Sequence, residues 1–142
     1  MIALDLKQNE VLERFELTIQ LSSLWQIYPW VHQTLRTITS APFKEFVVWI
    51  VNTVHPWSLR RQMSADGWRD VDTMLNILGE RNPKFRAVFK GDFDSFRCGA
   101  SGEHDTARWL IESHLPLVSS KGLVKFEQVH HAENRFRKSG IL

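Results

Sequence analysis

The first place where this chain could carry chemistry is Asp92-Phe93-Asp94, two carboxylates just beyond an apolar segment. Paired carboxylates at the carboxyl end of a strand can hold Mg²⁺ for phosphate chemistry in an α/β protein. Here Lys90 and Gly91 separate the apolar segment from the acids, and Ser95-Phe96 follows where such a site needs a small turn. The residue pattern therefore favours a polar loop at this position over a metal site.

Two other clusters contain the residue types of metal or thiol chemistry. His130-His131-Ala132-Glu133 offers three ligand types, but adjacent histidines on a strand point to opposite faces and cannot reach one ion together without a turn. Cys98 precedes His104 and Asp105, yet nothing in the Gly-rich sequence around this thiol indicates a stabilised thiolate. We therefore expect no catalytic residues, no metal and no cofactor.

Aromatic and basic residues suggest binding, because tryptophan is a common anchor at protein interfaces. Four of the six tryptophans lie on apolar helical stripes or inside an apolar segment, and we expect them in the core: Trp30, Trp49, Trp68 and Trp109. Trp25 and Trp57 lie in connecting segments and are candidate contact residues. Arg60 and Arg61, close to Trp57, could stack on a base or pair with an acidic partner, and they complete the candidate binding set.

Composition limits the function classes. At 142 residues, 43% of them hydrophobic, the chain fits a single domain spanning residues 1–142. Its 18 Lys and Arg nearly balance its 16 Asp and Glu, so a general nucleic-acid surface is not indicated. Basic residues gather in a polar tail from about residue 130, which contains Arg135, Arg137 and Lys138.

Cellular location follows from cysteine usage and from the distribution of apolar residues. A single cysteine, Cys98, excludes an internal disulfide and favours a reducing compartment, so we expect the cytoplasm or the nucleus. The charged N-terminal residues leave no apolar core for a signal peptide, and no apolar run reaches the roughly 18 residues of a membrane helix. We therefore expect no membrane association.

Four strands are predicted from apolar patterning. Residues 46–51 form an unbroken apolar run rich in β-branched and aromatic side chains, which is typical of a central strand covered on both faces. Residues 12–21 alternate between apolar and polar, a period of two that predicts a half-exposed edge strand. Residues 85–90 and 123–129 are the third and fourth strands.

Three helices are predicted between the strands. The first begins near Pro29 and ends before Pro42, and the third runs from near Glu103 to Pro116, with a turn at residues 119–122. The second carries an apolar stripe at helical spacing and presents polar residues opposite it, and Gly79 follows in the position of a C-cap glycine. The stripe is Trp68, Val71, Leu75 and Leu78, and the opposite side is Arg69, Asp70, Asp72 and Asn76.

The order β-α-β-α-β-α-β predicts an α/β fold with a mostly parallel sheet and right-handed crossovers. The four strands also begin alike, with an apolar residue, one or two polar residues and an apolar residue in the fourth place. These starts are at Leu12, Phe43, Phe85 and Leu123, separated by 43−12 = 31, 85−43 = 42 and 123−85 = 38 residues. The layout is repeat-like, but its period is irregular and longer than that of ordinary leucine-rich repeats.

Three segments carry a family resemblance: residues 12–19, which read Leu-Glu-Arg-Phe-Glu-Leu-Thr-Ile, residues 68–75 and residues 115–122. Together they resemble the C-terminal, leucine-rich-repeat-like region of large fungal F-box proteins. In that family a Leu-Glu-x-Phe-x-Leu strand is followed by a Trp-x-x-Val-Asp-x-x-Leu helix, and a Leu-Pro-x-hydrophobic turn closes the last repeat. The resemblance implies an irregular leucine-rich-repeat-like fold.

The resemblance also implies a function. Family members use an F-box to bind a ubiquitin-ligase adaptor and the repeats to recognise a protein to be ubiquitinated. Residues 1–11 are too few for an F-box, so the resemblance implies a recognition half alone, a non-enzymatic protein-interaction module. The alternative is a small α/β enzyme whose site lies at the carboxyl ends of the strands, near Asn52, Asp92 and Asp94.

The first strand has a further implication. As an edge strand without proline it exposes a row of backbone donors and acceptors, which can pair with another chain. We expect self-association through this strand or its capture by a partner. Residues 1–9 could instead fold back over it, as a short covering strand.

Overall fold

The computed structural model describes residues 4–20, 29–51, 65–91 and 106–129. The strands are β1 (Arg14–Gln20), β2 (Glu45–Val51), β3 (Arg86–Gly91) and β4 (Val124–Gln128). The helices are α1 (Pro29–Arg36), α2 (Ala65–Arg81), α3 (Thr106–His114) and α4 (Pro116–Ser120). The predicted alternation of strands and helices is confirmed, and α4 is an addition to it.

The four strands form one sheet in the order β1-β2-β3-β4, and all three neighbouring pairs are parallel. The predicted α/β class with a mostly parallel sheet is therefore confirmed. β1 and β4 are the two edges. The right-handedness of the crossovers stays a prediction.

The helices pack on one face of the sheet. Alternate residues of the strands point to this face and belong to one buried cluster, which includes Phe46, Val48 and Ile50 of β2 and Ala87 and Phe89 of β3. The same cluster contains buried side chains from all four helices: Val31, Leu35, Trp68, Val71, Leu75, Leu78, Ile111 and Val118. One apolar core therefore lies between the sheet and a single layer of helices.

Helix α2 confirms the predicted stripe, because Trp68, Val71, Leu75 and Leu78 are all buried. Gly79 does not end this helix, which continues to Arg81. A Cβ built on Gly79 would lie 2.5 Å from Cδ1 of Leu123. The glycine is therefore a packing residue that lets the start of the last strand approach the helix, and the C-cap prediction was wrong.

Pro116 ends α3 as predicted, but it also begins α4, in the first-turn position that proline favours. The predicted turn at residues 119–122 is thus partly helical. Gly122, at φ 71°, closes α4, and its N–H donates to Ser119 O (3.1 Å) while Leu123 N–H donates to Val118 O (3.0 Å). This pair of bonds is a Schellman motif, which turns the chain directly into β4.

Strand register corrects the alignment suggested by the similar strand starts. Phe15 and Phe46 do lie side by side, with ring centroids 6.2 Å apart. Phe46, however, pairs with Ala87 and not with Val88, the fourth residue of the third start. Because side chains alternate along a strand, a shift of one residue moves Val88 to the opposite face of the sheet.

The segment before β1 lies against α1 and the turn after it. Leu4 N–H donates to Thr34 Oγ1 (3.0 Å) and Leu6 N–H to Thr37 Oγ1 (2.8 Å). Ser40 Oγ in turn donates to Leu12 O (2.6 Å). Residues 4–9 therefore follow the helix layer, and the described part of the segment does not cover β1 as an added strand. None of the helices in the described ranges is long and apolar enough to cross a bilayer.

Candidate functional site

The face of the sheet opposite the helices carries a group of charged side chains and the half-buried ring of Trp49. We call it the outer face. Its side chains alternate with those of the core and are Arg14, Glu16, Thr18, Glu45, Val47, Trp49, Val51, Arg86, Val88, Lys90, Lys125 and Glu127. No described helix packs on this face, so it is the candidate interaction surface.

A chain of polar contacts crosses all four strands on the outer face. Arg14 and Glu16 of β1 form an ion pair of 3.4 Å, and Glu16 accepts a hydrogen bond from Trp49 Nε1 of β2. The ammonium of Lys90 on β3 lies 5.0 Å from the centroid of the Trp49 ring, a cation–π distance, and forms a 3.3 Å ion pair with Glu127 of β4. We call these five residues the cross-strand network.

Two buried valines lie at the middle of the outer face. Val47 is 0% exposed and Val88 is 3% exposed, although neither belongs to the core cluster beneath the helices. They are neighbours in the register, between Glu16 on one side and Lys125 on the other. Both valines are therefore covered, and the accessible part of the outer face is mostly charged and polar, with the half-buried ring of Trp49 among these side chains.

The charges of the outer face are not fully paired. Its three carboxylates all have basic partners: Glu16 and Glu45 contact Arg14, at 3.4 and 3.9 Å, and Glu127 contacts Lys90. Arg86 donates to the carbonyls of Pro83 and Phe85, and within the described residues neither it nor Lys125 contacts a carboxylate. The unpaired charge on this face is therefore positive and lies on β3 and β4.

The sequence-based binding candidates Trp25, Trp57, Arg60 and Arg61 lie outside the described residues, as do Asn52, Asp92 and Asp94 of the alternative enzyme site. The clusters at Cys98 and at residues 130–133 also lie outside them. Gly91, at the end of β3, is described, and its carbonyl accepts a hydrogen bond from Val129 N–H (2.8 Å). The described ranges contain no group of three or more His, Cys, Asp or Glu that could hold a metal ion.

Trp49 is the main residue that sequence reasoning misassigned. Its position inside an apolar run predicted a core side chain, but it is half-buried on the outer face, outside the core cluster. Because β2 is apolar at every position from Phe46 to Val51, its sequence does not show which residues face the core and which face outward. The neighbouring strands carried the missing signal, because Thr18 and Lys90, the register partners of Trp49, are polar residues in alternating positions.

A cleft of about 250 Å³ lies between α2 and the α3–α4 junction and is lined by Arg69, Asp72, Ser113, His114 and Pro116. Asp72 was expected on the exposed side of α2, but it is only 3% exposed. Its carboxylate accepts hydrogen bonds from the N–H groups of Leu117 (2.9 Å) and Val118 (3.1 Å). The central acid of this cleft is therefore a helix cap, and the cleft has a structural role.

Comparison of the chain with protein-family models, with curated proteins and with solved structures finds no match. The geometry itself defines the class: an α/β protein with four consecutive parallel strands and one layer of helices.

Proposed function

We propose that this chain is a non-enzymatic protein-interaction module that binds an acidic segment of another protein on its outer face. The observation that carries the proposal is the charge of that face, on which Arg86 and Lys125 have no carboxylate partner among the described residues. Arg86 and Lys125 supply the charge, and the half-buried Trp49 supplies an aromatic anchor on the same face.

Energetic reasoning supports a role for this face in binding rather than in stability. Partly exposed ion pairs such as Arg14–Glu16 contribute at most about 1 kcal/mol to folding, so a network of them across four strands is not needed to hold the sheet together. Charged groups arranged on an accessible face instead favour complementary partners and orient them. The resemblance to the C-terminal region of fungal F-box proteins, whose repeats recognise a protein to be ubiquitinated, supports the same kind of function.

The proposal includes a cellular setting. With one cysteine in 142 residues and balanced charge, the module would act in the cytoplasm or the nucleus on a protein partner. Recruitment of that partner for ubiquitination is the finer role that the family resemblance adds. The sequence-based candidates Trp25, Trp57, Arg60 and Arg61 would also contact the partner.

Selection from a random peptide library tests the proposal directly. Peptides selected on the purified protein should be enriched in Asp and Glu next to apolar residues. The double variant Arg86→Glu, Lys125→Glu should weaken the binding of the selected peptides by tenfold or more, because it reverses the charge that the peptides meet.

The matched control is Arg69→Glu, Lys7→Glu, which changes the net charge equally but alters exposed residues of the helix layer and the N-terminal segment. Its binding should equal that of the unmodified chain. Selected peptides without acidic residues, or equal losses in both double variants, would overturn the proposal. Tighter binding of a DNA or RNA duplex than of any peptide would replace it with a nucleic-acid function.

A further inference from the structure

Among the described strands, β1 has one neighbour, β2, and no described strand pairs with its other edge. The segment that could have covered this edge, residues 4–9, lies along α1 instead. β1 is seven residues long and contains no proline. An edge of this length without proline is a template for pairing with another strand.

The hydrogen bonds at the start of β1 show which backbone groups face outward. Glu13 O accepts from the N–H groups of Lys44 (2.9 Å) and Glu45 (3.2 Å), so the backbone groups of residue 13 face β2. Backbone groups alternate in direction along a strand, and those of Phe15, Leu17 and Ile19 therefore also face β2. The outward row belongs to Arg14, Glu16, Thr18 and Gln20.

This row restricts how a second β1 can pair in the antiparallel direction. Only registers that place even-numbered residues opposite even-numbered ones bring the outward groups together. A register centred on Glu16 places two carboxylates directly opposite each other, which is unfavourable. A register centred on Leu17 aligns all seven residues of both strands and opposes no like charges.

We propose that two copies of this chain associate through β1, antiparallel about a twofold axis, with Leu17 of one copy opposite Leu17 of the other. The two four-stranded sheets then join into one continuous sheet. Phe15 meets Ile19 of the second copy on the core face, and Glu16 meets Thr18 on the outer face. Phe15 and Leu17, both only half-buried in the single chain, gain an apolar neighbour across the axis.

The second copy is the favoured occupant of the edge because β1 complements itself. The core face of the strand carries three apolar residues in alternation, and the twofold register matches them to the same three residues reversed. A symmetric contact of this kind closes on itself and gives a dimer. The dimer is independent of the proposed partner binding, since it uses the strand edge and not the outer face.

Engineered disulfides test the register. In an antiparallel sheet the Cα atoms of a pair without hydrogen bonds lie about 4.5 Å apart, within the range of about 4.4–6.8 Å that a disulfide needs. In a Cys98→Ser background, Leu17→Cys should therefore form a covalent dimer under mild oxidation. A mixture of the Glu16→Cys and Thr18→Cys chains should form a mixed dimer, because these residues are also opposite each other.

Thr18→Cys alone is the matched control, and it should form little covalent dimer because residue 18 is not opposite itself. Faster self-linking at residue 18 or residue 16 than at residue 17 would overturn the proposed register. Sedimentation of the unmodified chain at micromolar concentration should show a dimer. A monomer under these conditions, with the Arg14 and Thr18 amides protected from hydrogen exchange, would show that the chain covers its own edge.

A proline substitution separates assembly from folding. Thr18→Pro removes an N–H that faces away from β2, a position where an edge strand tolerates proline. It should raise the dimer dissociation constant at least tenfold while secondary structure is retained, whereas Thr18→Ala should leave the constant near its original value. An unchanged constant in Thr18→Pro would overturn pairing through this edge.

Discussion

The carboxylate of Asp72 accepts a 3.1 Å hydrogen bond from the backbone N–H of Val118, 46 residues further along the chain. A second bond, from Leu117 N–H, uses the other carboxylate oxygen. The side chain thus supplies to α4 the cap that Leu115, its N-cap residue, does not provide. One buried acid therefore connects α2 to α4.

Asp72→Ala should lower the free energy of unfolding by about 1–3 kcal/mol, because it leaves the buried N–H of Val118 and the part-buried N–H of Leu117 without their acceptor. Urea denaturation measures the change. Asp70→Ala, an exposed acid on the same helix, is the control and should change stability by less than about 0.5 kcal/mol. Equal effects of the two substitutions would mean that the cap does not contribute.

Gly79→Ala should not give the stabilisation of about 1 kcal/mol that this exchange usually gives inside a helix. The added methyl group would lie 2.5 Å from Leu123 Cδ1, which would have to move. In a Leu123→Ala background the same exchange should become stabilising. A double-mutant cycle measures this coupling, and an absence of coupling would contradict the close contact.

Gly122→Ala should cost about 1–2 kcal/mol, because φ at this position is 71° and a Cβ is strained there although no atom lies near it. Gly122→Asn is the control and should cost less, since asparagine adopts this conformation more readily than other residues. Thermal unfolding of the two variants tests this explanation. Backbone strain predicts the larger loss of stability for alanine, and an equal or larger loss for asparagine would contradict it.

Leu75→Ala should lower the free energy of unfolding by about 2–5 kcal/mol, as expected for truncation of a fully buried leucine. Thr73→Ala, on the exposed side of the same helix, serves as the control. An unchanged denaturation midpoint for Leu75→Ala would mean that the stripe of α2 does not face the sheet.

Folding should not depend on a metal ion, because the sequence offers only the weak ligand pairs discussed above. Thermal melts with and without a strong chelator should coincide. A fall of several degrees on chelation would contradict this expectation and direct attention to the histidine pair at residues 130–131.

The parts of the fold that are encoded locally could be predicted from the sequence. The stripe from Trp68 to Leu78 has helical spacing, and the run in β2 has the length and composition of a buried strand. The helix and the strand therefore appear where the helical spacing and the apolar run predicted them. The parallel sheet followed from the length of each connection, since none is short enough for a hairpin.

The features that sequence did not predict depend on contacts between distant residues. Asp72 looked exposed from its place on the helix, because its partners at residues 117 and 118 belong to a helix of five residues that has too little sequence to show periodicity. Gly79 looked like a cap because the side chain that requires a glycine there is 44 residues away, at Leu123 (123−79 = 44). Trp49 needed the register of three strands to be placed on the outer face.

The order of the strands also determines how the chain must fold. Register pairs are separated by 45−14 = 31 residues in the first strand pair, 86−45 = 41 in the second and 124−87 = 37 in the third. Every pairing in the sheet therefore closes a long loop before its contacts form, and no strand pair can nucleate locally. We expect the helices to form early and the sheet to assemble late, so that refolding takes milliseconds to seconds, as for other domains dominated by non-local contacts.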